Sequence, residues 1–156
     1  MHITIVAVGQ KLPAWAQTAV DDYLARFPRD FTVIVKEVKA EARTGGKPVA
    51  QVMAAEAERI ERAVPAGDIL VAMDEHGRDM TTVDFSKKLS GWKNEGCGVT
   101  FIIGGADGLD PALKAKARMM LRLSSMTLPH AFARVLLTEQ IYRAWSILAN
   151  HPYHRV

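Results

Sequence analysis

The chain has 156 residues, 49% of them hydrophobic, and a formal net charge of +3. This composition is typical of a folded globular domain, which we predict to span residues 1–156, and it excludes a disordered chain. The single cysteine, Cys97, excludes an intrachain disulfide and a zinc site built on paired cysteines. The sequence shows neither a secretion signal nor an apolar run near the roughly 20 residues of a membrane span, so we expect a cytoplasmic protein without membrane contact.

The first part of the chain alternates between strand-like and helix-like segments. Residues 2–8 form an apolar run typical of a buried strand, and apolar residues over 12–27 repeat at the spacing of one helix face. A β-branched segment at 31–35 predicts a second strand, and the polar residues at 42–48 predict a loop. A helix is then predicted over about 49–63, ending before a proline and glycine cluster.

The alternation continues to the end of the chain. A third strand at 68–73 is expected to lead into a polar turn at 74–78, and Thr81 with Asp84 three residues later is similar to a helix capping pair. The remaining predicted elements are a fourth strand at 98–103, a short helix opening at Asp110-Pro111, a weaker fifth strand near 119–124 and a long helix over about 131–149. This order predicts an α/β fold, with a mostly parallel sheet and helices on both faces.

Three loops are candidates for a ligand site, because ligands of such sheets bind at the carboxyl ends of the strands. The loops are 73–78, 104–109 and 123–130, and we expect them to converge on one pocket. Glycines 104, 105 and 108 permit close backbone approach to a ligand, although their spacing matches neither GxGxxG nor a P-loop. The alternative is that these glycines are only turn residues.

Charged side chains leave several alternatives open. The chain has 20 Lys+Arg against 17 Asp+Glu, and it contains no basic block that would mark binding to nucleic acid by charge alone. Arg134 and Arg143 on the last helix either face phosphates or belong to a solvated or ion-paired helix face. His151 and His154 have an H-x-x-H spacing, but Pro152 between them and the absence of further ligands argue against a metal site.

The carboxyl-terminal segment is the most unusual part of the sequence. Residues 150–155 bring rigid, aromatic and hydrogen-bonding side chains together at a position where chains usually fray. Such a group can stack on a nucleobase and bind imide oxygens. The alternative is a tail that is docked for structural reasons only.

Several segments together resemble the RlmH family, the smallest SPOUT-class RNA methyltransferases. The resemblance spans essentially the whole chain, and Ala106-Asp107 and Met73 are local departures, standing where Pro-Glu and Leu are expected. The matching segments are Val6-Ala7-Val8-Gly9, Ile103-Gly104-Gly105 with Gly108-Leu109, Leu123-Ser124 with Thr127-Leu128-Pro129-His130, Tyr142-Arg143-Ala144-Trp145-Ser146 and Asn150-His151-Pro152-Tyr153-His154-Arg155.

This resemblance implies a SPOUT fold with a carboxyl-terminal trefoil knot, a homodimer and S-adenosyl-L-methionine bound in the knot. It further implies methylation of N3 of a pseudouridine in helix 69 of 23S ribosomal RNA, on assembled ribosomes and without a metal. Tyr153, His154 and Arg155 would then be the catalytic residues. The cofactor-binding residues would be Met73, Gly104, Gly105, Leu123, Ser124, Ser125, Met126, Thr127 and Leu128.

Two further expectations follow from the residues themselves. The apolar residues of the last helix predict a homodimer, because they offer more apolar surface than one compact face can cover. Gly105→Val is expected to block the cofactor without unfolding the chain, because a branched side chain would intrude on the ligand. Two rival functions stay open, a dinucleotide-dependent enzyme and a non-catalytic ribosome-binding factor. The apolar residues of the last helix that predict the homodimer are Leu136, Leu137, Ile141, Trp145 and Leu148.

Overall fold

The computed structural model describes residues 1–9 and 11–155; Gln10 and Val156, which the predicted domain includes, lie outside the described residues. Strands and helices alternate along the chain, as predicted. In chain order they are β1 His2–Val8, α1 Ala14–Leu24, β2 Thr32–Val38, a short 3-10 helix Thr44–Gly46, α2 Val49–Ala63, β3 Ile69–Arg78, α3 Thr82–Asn94, β4 Val99–Ile103, α4 Pro111–Lys116, β5 Met119–Leu121 and α5 His130–Leu148.

The five strands form one sheet in the order β2-β1-β4-β3-β5, and every neighbouring pair is parallel. All residues of the central strand β4 are buried, and β1 is buried from Ile3 onward. Strands covered on both faces are apolar without alternation, which explains the continuous runs in the sequence. The predicted parallel sheet is confirmed.

Helices cover both faces of the sheet. On one face α3 and α5 pack against alternate strand residues such as Ile5 and Phe101. On the other face α2 and α4 pack against the intervening residues, among them Val6 and Ile102. Helix α1 packs on α5 through Ala16 and Val20. The predicted placement of helices is therefore confirmed, while the trefoil knot stays a prediction.

Two of the predicted helix starts carry the expected caps. The hydroxyl of Thr81 accepts a hydrogen bond from the amide of Asp84 at 3.1 Å, and a carboxylate oxygen of Asp110 accepts from the amides of Ala112 and Leu113 at 3.0 and 3.3 Å. These side chains satisfy amides that have no partner within the helix. The capping interpretation of both positions is confirmed.

The polar turn predicted at 74–78 is wrong, because β3 continues through Arg78. Arg78 pairs with Leu121 of β5 after an irregularity in the register, and its carbonyl accepts from the amide of Arg122 at 3.1 Å. A Cβ at Gly77 would lie only 2.7 Å from the Leu121 carbonyl carbon, so the two backbones are in close contact. Polar composition therefore reflects the position of this segment near the sheet edge, where side chains reach solvent while the backbone stays paired.

Candidate active site

A cleft opens at the carboxyl ends of β3, β4 and β5, where the sequence predicts the site. It has a smaller arm of about 150 Å³ and a larger arm of about 500 Å³. Met73, Asp74, Ile103 and Leu128 line both arms, so the two spaces form one cleft. We call this space the strand-end cleft.

Eight of the nine predicted cofactor-binding residues line this cleft, and Ser125 does not. Ser125 is exposed on the loop between β5 and α5. The predicted convergence of the three segments is confirmed, while the binding role of each residue stays a prediction. The eight lining residues are Met73, Gly104, Gly105, Leu123, Ser124, Met126, Thr127 and Leu128.

The smaller arm is mainly apolar. Leu121, Leu123, Leu128 and Ala133 contribute to its wall, and Met126 lies at its edge with 78% of its surface exposed. The hydroxyl of Ser124 accepts a hydrogen bond from the amide of Met126 at 2.9 Å and so fixes the turn of this loop. An apolar arm of this kind suits a flat ring.

The larger arm is shaped by the glycine loop after β4. A Cβ at Gly104 would lie 2.5 Å from the carbonyl carbon of Gly108, a distance that no side chain permits. The amide of Gly108 donates to the carbonyl of Gly105 at 3.0 Å, and Gly108 has a φ of 83°. The loop is therefore a closed turn in which Gly104 and Gly108 are required sterically.

Gly105 is oriented differently from the expectation for Gly105→Val. A Cβ at this position would lie 3.1 Å from the carboxylate of Glu56 and 3.2 Å from Val8. Both lie toward α2 and β1. The reason given for the predicted loss of cofactor binding is therefore wrong, because a side chain at Gly105 is directed into the protein and would displace Glu56.

Asp74 and Lys114 form an ion pair at the wall of the larger arm. One carboxylate oxygen of Asp74 accepts from Lys114 at 2.9 Å, and the other accepts from the amide of His76 at 2.8 Å. Burial raises the pKa of Asp74, but the hydrogen bonds from Lys114 and His76 outweigh burial, so the pKa lies below its ordinary value. Asp74 is therefore ionised at neutral pH. Asp74 lies in the predicted ligand segment 73–78, directly after Met73, but it was not singled out as a site residue.

His130 lines the larger arm and is held by Arg134, one helical turn further along α5. Nε of the buried Arg134 donates to Nε2 of His130 at 2.9 Å, and its Nη1 lies 3.2 Å from a carboxylate oxygen of Glu37. Burial and then the charge of Arg134 lower the pKa of His130, against the opposing effects of the Gly104 backbone and Glu37. Arg134 is therefore ion-paired, as one alternative held, but it is buried and does not lie on a solvated helix face.

The carboxyl-terminal tail is docked on α1 and α5. The hydroxyl of Tyr153 donates to Glu139 at 3.0 Å and lies 2.9 Å from the hydroxyl of Tyr23. Its ring packs edge-on against Tyr142, with centroids 4.7 Å apart. Burial first, and then the contacts with Tyr23 and Glu139, raise the pKa of Tyr153 strongly. Tyr153 therefore keeps its proton and acts as a hydrogen-bond donor.

The last described residues of the tail offer free polar groups. Nδ1 of His154 is buried and has no hydrogen-bond partner among residues 1–9 and 11–155. Arg155 is exposed and forms no ion pair within the same part of the chain. Arg143 differs, because it is ion-paired with Glu139 at 2.6 Å and lies over the Tyr153 ring at 4.8 Å. The ion-paired alternative for Arg143 is thus also confirmed.

The structure does not bring the tail and the strand-end cleft together within one chain. None of the predicted catalytic residues Tyr153, His154 and Arg155 lines either arm of the cleft. The tail instead contacts Tyr23 and the part of α5 around Glu139 and Tyr142. The two predicted residue sets are therefore separate surfaces of a single chain.

The apolar residues offered for a homodimer are only partly available. Leu137 and Ile141 lie in the chain's own core, so their use as interface residues was wrong. Leu136 and Leu148 are exposed, and Trp145 is half-buried. A different exposed pair, Trp15 and Phe132, was missed; their ring centroids are 4.9 Å apart. The dimer itself stays a prediction.

Two searches of the described residues found nothing. Among residues 1–9 and 11–155, no cluster of His, Cys, Asp and Glu has the arrangement of a metal site. Within the same ranges, no helix has the length and apolar character needed to cross a membrane.

Two solved structures of methylase family proteins are similar to this fold. A probable methylase family protein from Haemophilus influenzae Rd KW20 matches with a TM-score of 0.59 and 13% sequence identity, over 99% of this chain and 70% of that chain. A putative methylase family protein from Neisseria gonorrhoeae matches with a TM-score of 0.54 and 15% identity, over 99% of this chain and 95% of that chain. At such low identity, these matches establish the fold alone.

A family model described as Predicted SPOUT methyltransferase matches residues 1–154, so the chain belongs to the SPOUT methyltransferase family. A protein of Ralstonia pickettii (strain 12J) is 54% identical over 156 residues and covers 100% of both chains. A protein of Bordetella avium (strain 197N) is 56% identical over 155 residues and covers 99% of each. Both are named Ribosomal RNA large subunit methyltransferase H, and the resemblance to the RlmH family is thereby confirmed.

Proposed function

We propose that this protein uses S-adenosyl-L-methionine to methylate ribosomal RNA of the large subunit. The target is N3 of a pseudouridine in helix 69 of 23S ribosomal RNA, on the assembled ribosome in the cytoplasm. The observation that carries the proposal is the strand-end cleft, which gathers eight residues that the family resemblance assigns to the cofactor. Relatives more than half identical over the full chain support the same activity.

The residues of the cleft fit this cofactor. Its smaller arm is apolar and suits the adenine ring, while the closed turn at Gly104 leaves backbone groups at the wall of the larger arm. Asp74 is paired with Lys114 at 2.9 Å, whereas Glu75 beside it lines both arms and has no Lys or Arg partner among the described residues. The negative charge of Glu75 suits a cofactor that carries a sulfonium and an ammonium group.

When bound, the cofactor supplies an electrophilic methyl group on its sulfonium sulfur. The chain's own task is then to align the nucleophile, which can supply much of the rate acceleration without a metal or a covalent enzyme intermediate. N3 of the pseudouridine has to lose its proton, and the negative charge that develops needs a cation or donor. Arg155 is the natural donor because it is exposed and free of ion pairs in the described chain.

The neighbours of Arg155 complete the base pocket in this proposal. Tyr153 keeps its proton and is fixed by Glu139, so it offers a rigid aromatic ring and a positioned hydroxyl. The buried Nδ1 of His154 has no partner in the described chain, so a base that binds here gives it a partner only if the ring turns outward. Burying such a group without a hydrogen bond costs free energy, which binding would recover.

A homodimer would resolve the separation of tail and cleft. In a symmetric pair, the tail of one copy approaches a surface of the other copy that it does not reach in its own chain. The exposed rings of Trp15 and Phe132, with Leu136 on the same helix as Phe132, are apolar surface available for such contact. We therefore place the complete site at the meeting of one cleft with the tail of a second copy.

The decisive experiment combines binding and transfer. Calorimetry of the wild-type protein with S-adenosyl-L-methionine should give saturable binding, and labelled methyl should then be transferred to ribosomes lacking the modification. Digestion of the 23S RNA should place the label on a pseudouridine of helix 69. Absence of cofactor binding would overturn the proposal. Binding to ribosomes without methyl transfer would instead support a non-catalytic ribosome-binding factor.

A further inference from the structure

A second concave surface runs along α3 beside the end of β3. It has a volume of about 520 Å³, and we call it the α3 groove. Trp92 and Met80 contribute apolar atoms to it, while Gly91 leaves it open, because a Cβ at that position would meet nothing within 4 Å. The other lining residues are charged: Arg78, Asp79, Asp84, Lys87, Lys88 and Glu95.

The charges of the α3 groove do not cancel. Arg78, Lys87 and Lys88 form no ion pair within residues 1–9 and 11–155. Two of the three carboxylates are already neutralised by ion pairs with arginines that do not line the groove. Asp79 accepts from Arg122 at 2.6 and 2.7 Å, and Glu95 accepts from Arg118 at 2.9 Å.

Asp84 is the carboxylate that remains, against three unpaired cations. The groove therefore carries a net positive charge, although the whole chain has a formal charge of only +3. A concave surface lined by one sign of charge raises the local concentration of oppositely charged ligands. The excess positive charge of this chain is thus concentrated in a groove in which an extended anion can lie.

A further cavity lies next to both the α3 groove and the strand-end cleft. It has a volume of about 290 Å³ and shares Met80 with the groove and Leu121, Arg122 and Leu123 with the smaller arm of the cleft. Arg122, which neutralises Asp79, lines this cavity. An extended chain that leaves the groove past Met80 would meet Arg122 and Leu123 at the edge of the cleft.

We propose that the α3 groove binds the phosphodiester backbone of the ribosomal RNA segment that flanks the target nucleotide. This inference rests on the function proposed above. The unpaired cations supply the phosphate contacts, which position a nucleic acid without reading its sequence. Recognition of this kind suits lysines, because a flexible ammonium meets a phosphate as a point charge without demanding one geometry.

The main test replaces Lys87 and Lys88 together by glutamine, with methyl transfer to unmodified ribosomes as the readout. We expect the KM for ribosomes to rise about tenfold or more near 0.1 M salt while kcat is kept, because the lost contacts bind substrate and transition state equally. The dependence of log KM on log salt should become shallower, by about 1 for each lysine that contacts a phosphate. Affinity for S-adenosyl-L-methionine should not change.

A matched control removes the same charge elsewhere. Arg29 and Lys39 are exposed, lie on either side of the opposite edge strand β2 and form no ion pair among the described residues, so Arg29→Gln with Lys39→Gln should leave KM and its salt dependence unchanged. Equal effects of the two double variants would mean that net charge alone matters, which would overturn the groove as a site.

A second pair of variants tests the groove without touching a lysine. Gly91 lies inside α3 with open space around it, so both Gly91→Glu and Gly91→Gln should fold, each with higher helix propensity than glycine. The two side chains have nearly the same shape and differ in charge. Gly91→Glu should raise KM severalfold more than Gly91→Gln, and equal KM values would contradict phosphate binding.

The outcomes separate this inference from the proposed function. If wild-type protein transfers no methyl, the proposed function fails, and filter binding of ribosomes by the wild type and the Lys87→Gln/Lys88→Gln variant still tests the groove. Equal binding would overturn the inference. If the variant loses affinity for ribosomes but binds protein-free 23S RNA like the wild type, the groove contacts a ribosomal protein, which also overturns it.

Discussion

The strand-end cleft and the carboxyl-terminal tail are built by different means. The cleft owes its shape to backbone, above all to the turn in which Gly104 meets Gly108, and to apolar side chains. The tail owes its position to side chains, with Tyr153 anchored on Glu139 and Tyr23. Substitutions in the cleft should therefore act by changing its shape, whereas substitutions in the tail should act by removing single hydrogen-bonding or charged groups.

The largest expected effect tests whether the carboxyl-terminal tail takes part in methyl transfer. Arg155→Ala should retain cofactor affinity and lose about 10²–10³ in the rate of methyl transfer, because removal of one preorganised donor from a developing oxyanion typically costs this much. Single-turnover transfer of labelled methyl to unmodified ribosomes measures the rate, with calorimetry in parallel.

The control for this variant is Arg29→Ala, since Arg29 is another exposed arginine without an ion pair in the described chain. It should transfer methyl at the wild-type rate. A wild-type rate for Arg155→Ala would refute the role of the tail in chemistry. Lost cofactor binding would show that the tail belongs to the cofactor half of the site.

The next effect tests whether the backbone turn at Gly104 shapes the cleft. Gly104→Ala forces a Cβ to within 2.5 Å of the Gly108 carbonyl carbon, so the turn has to open. We expect a loss of about 1–3 kcal/mol in the free energy of unfolding, typical of overpacking, and a marked loss of cofactor affinity. Denaturant unfolding and calorimetry measure the two.

Gly91→Ala is the matched control, because the same added methyl group meets nothing within 4 Å. It should be neutral or slightly stabilising, since alanine has the higher helix propensity. If Gly104→Ala folds and binds the cofactor like the wild type, the turn does not shape the cleft.

A smaller effect separates docking of the tail from its chemistry. Tyr153→Phe keeps the ring on Tyr142 but removes the hydroxyl that bonds to Glu139. We expect the free energy of unfolding to fall by about 1–3 kcal/mol, because the Glu139 carboxylate loses the hydroxyl that donates to it. Limited proteolysis should cut the tail of this variant faster, and cofactor affinity should be kept. Weaker cofactor affinity or unchanged proteolysis would contradict an independent, hydroxyl-anchored tail.

Local pattern was sufficient to predict most of the fold and the three segments that line the cleft, whereas the individual cofactor residues came from the family resemblance. The apolar runs of β1 and β4, the caps at Thr81 and Asp110, and the loops after the strands all follow from neighbouring residues in the sequence. What failed depends on distant partners. The segment 74–78 has the composition of a turn, but it is strand because β5 pairs with it.

The same reason explains what was missed at the site and on the surface. Gly105 faces Glu56, which lies 49 positions earlier in the sequence, so the direction of its missing side chain had no local signal. The α3 groove has no basic block along the sequence. It becomes basic only because distant arginines, Arg122 and Arg118, neutralise Asp79 and Glu95 and leave Lys87 and Lys88 unopposed.

The smallest effect concerns pH and links the cleft to α5. His130 is neutral in the fold because burial and Arg134 lower its pKa below the ordinary 6.5. The unfolded chain therefore binds a proton at a higher pH than the folded chain does. As pH falls below about 6.5, the unfolded state gains this proton first, so the stability contributed by His130 is present at pH 7 and declines in acid, down to the lowered pKa.

Replacement by a side chain that cannot titrate isolates this contribution. In His130→Gln the amide oxygen can still accept from Arg134, so the hydrogen bond at 2.9 Å has a substitute while the titration is gone. Unfolding in denaturant at pH 7 and at pH 5.5 should show a smaller loss of stability for the variant than for the wild type. Equal losses would mean that His130 titrates alike in both states, and that Arg134 does not hold it neutral at the wall of the cleft.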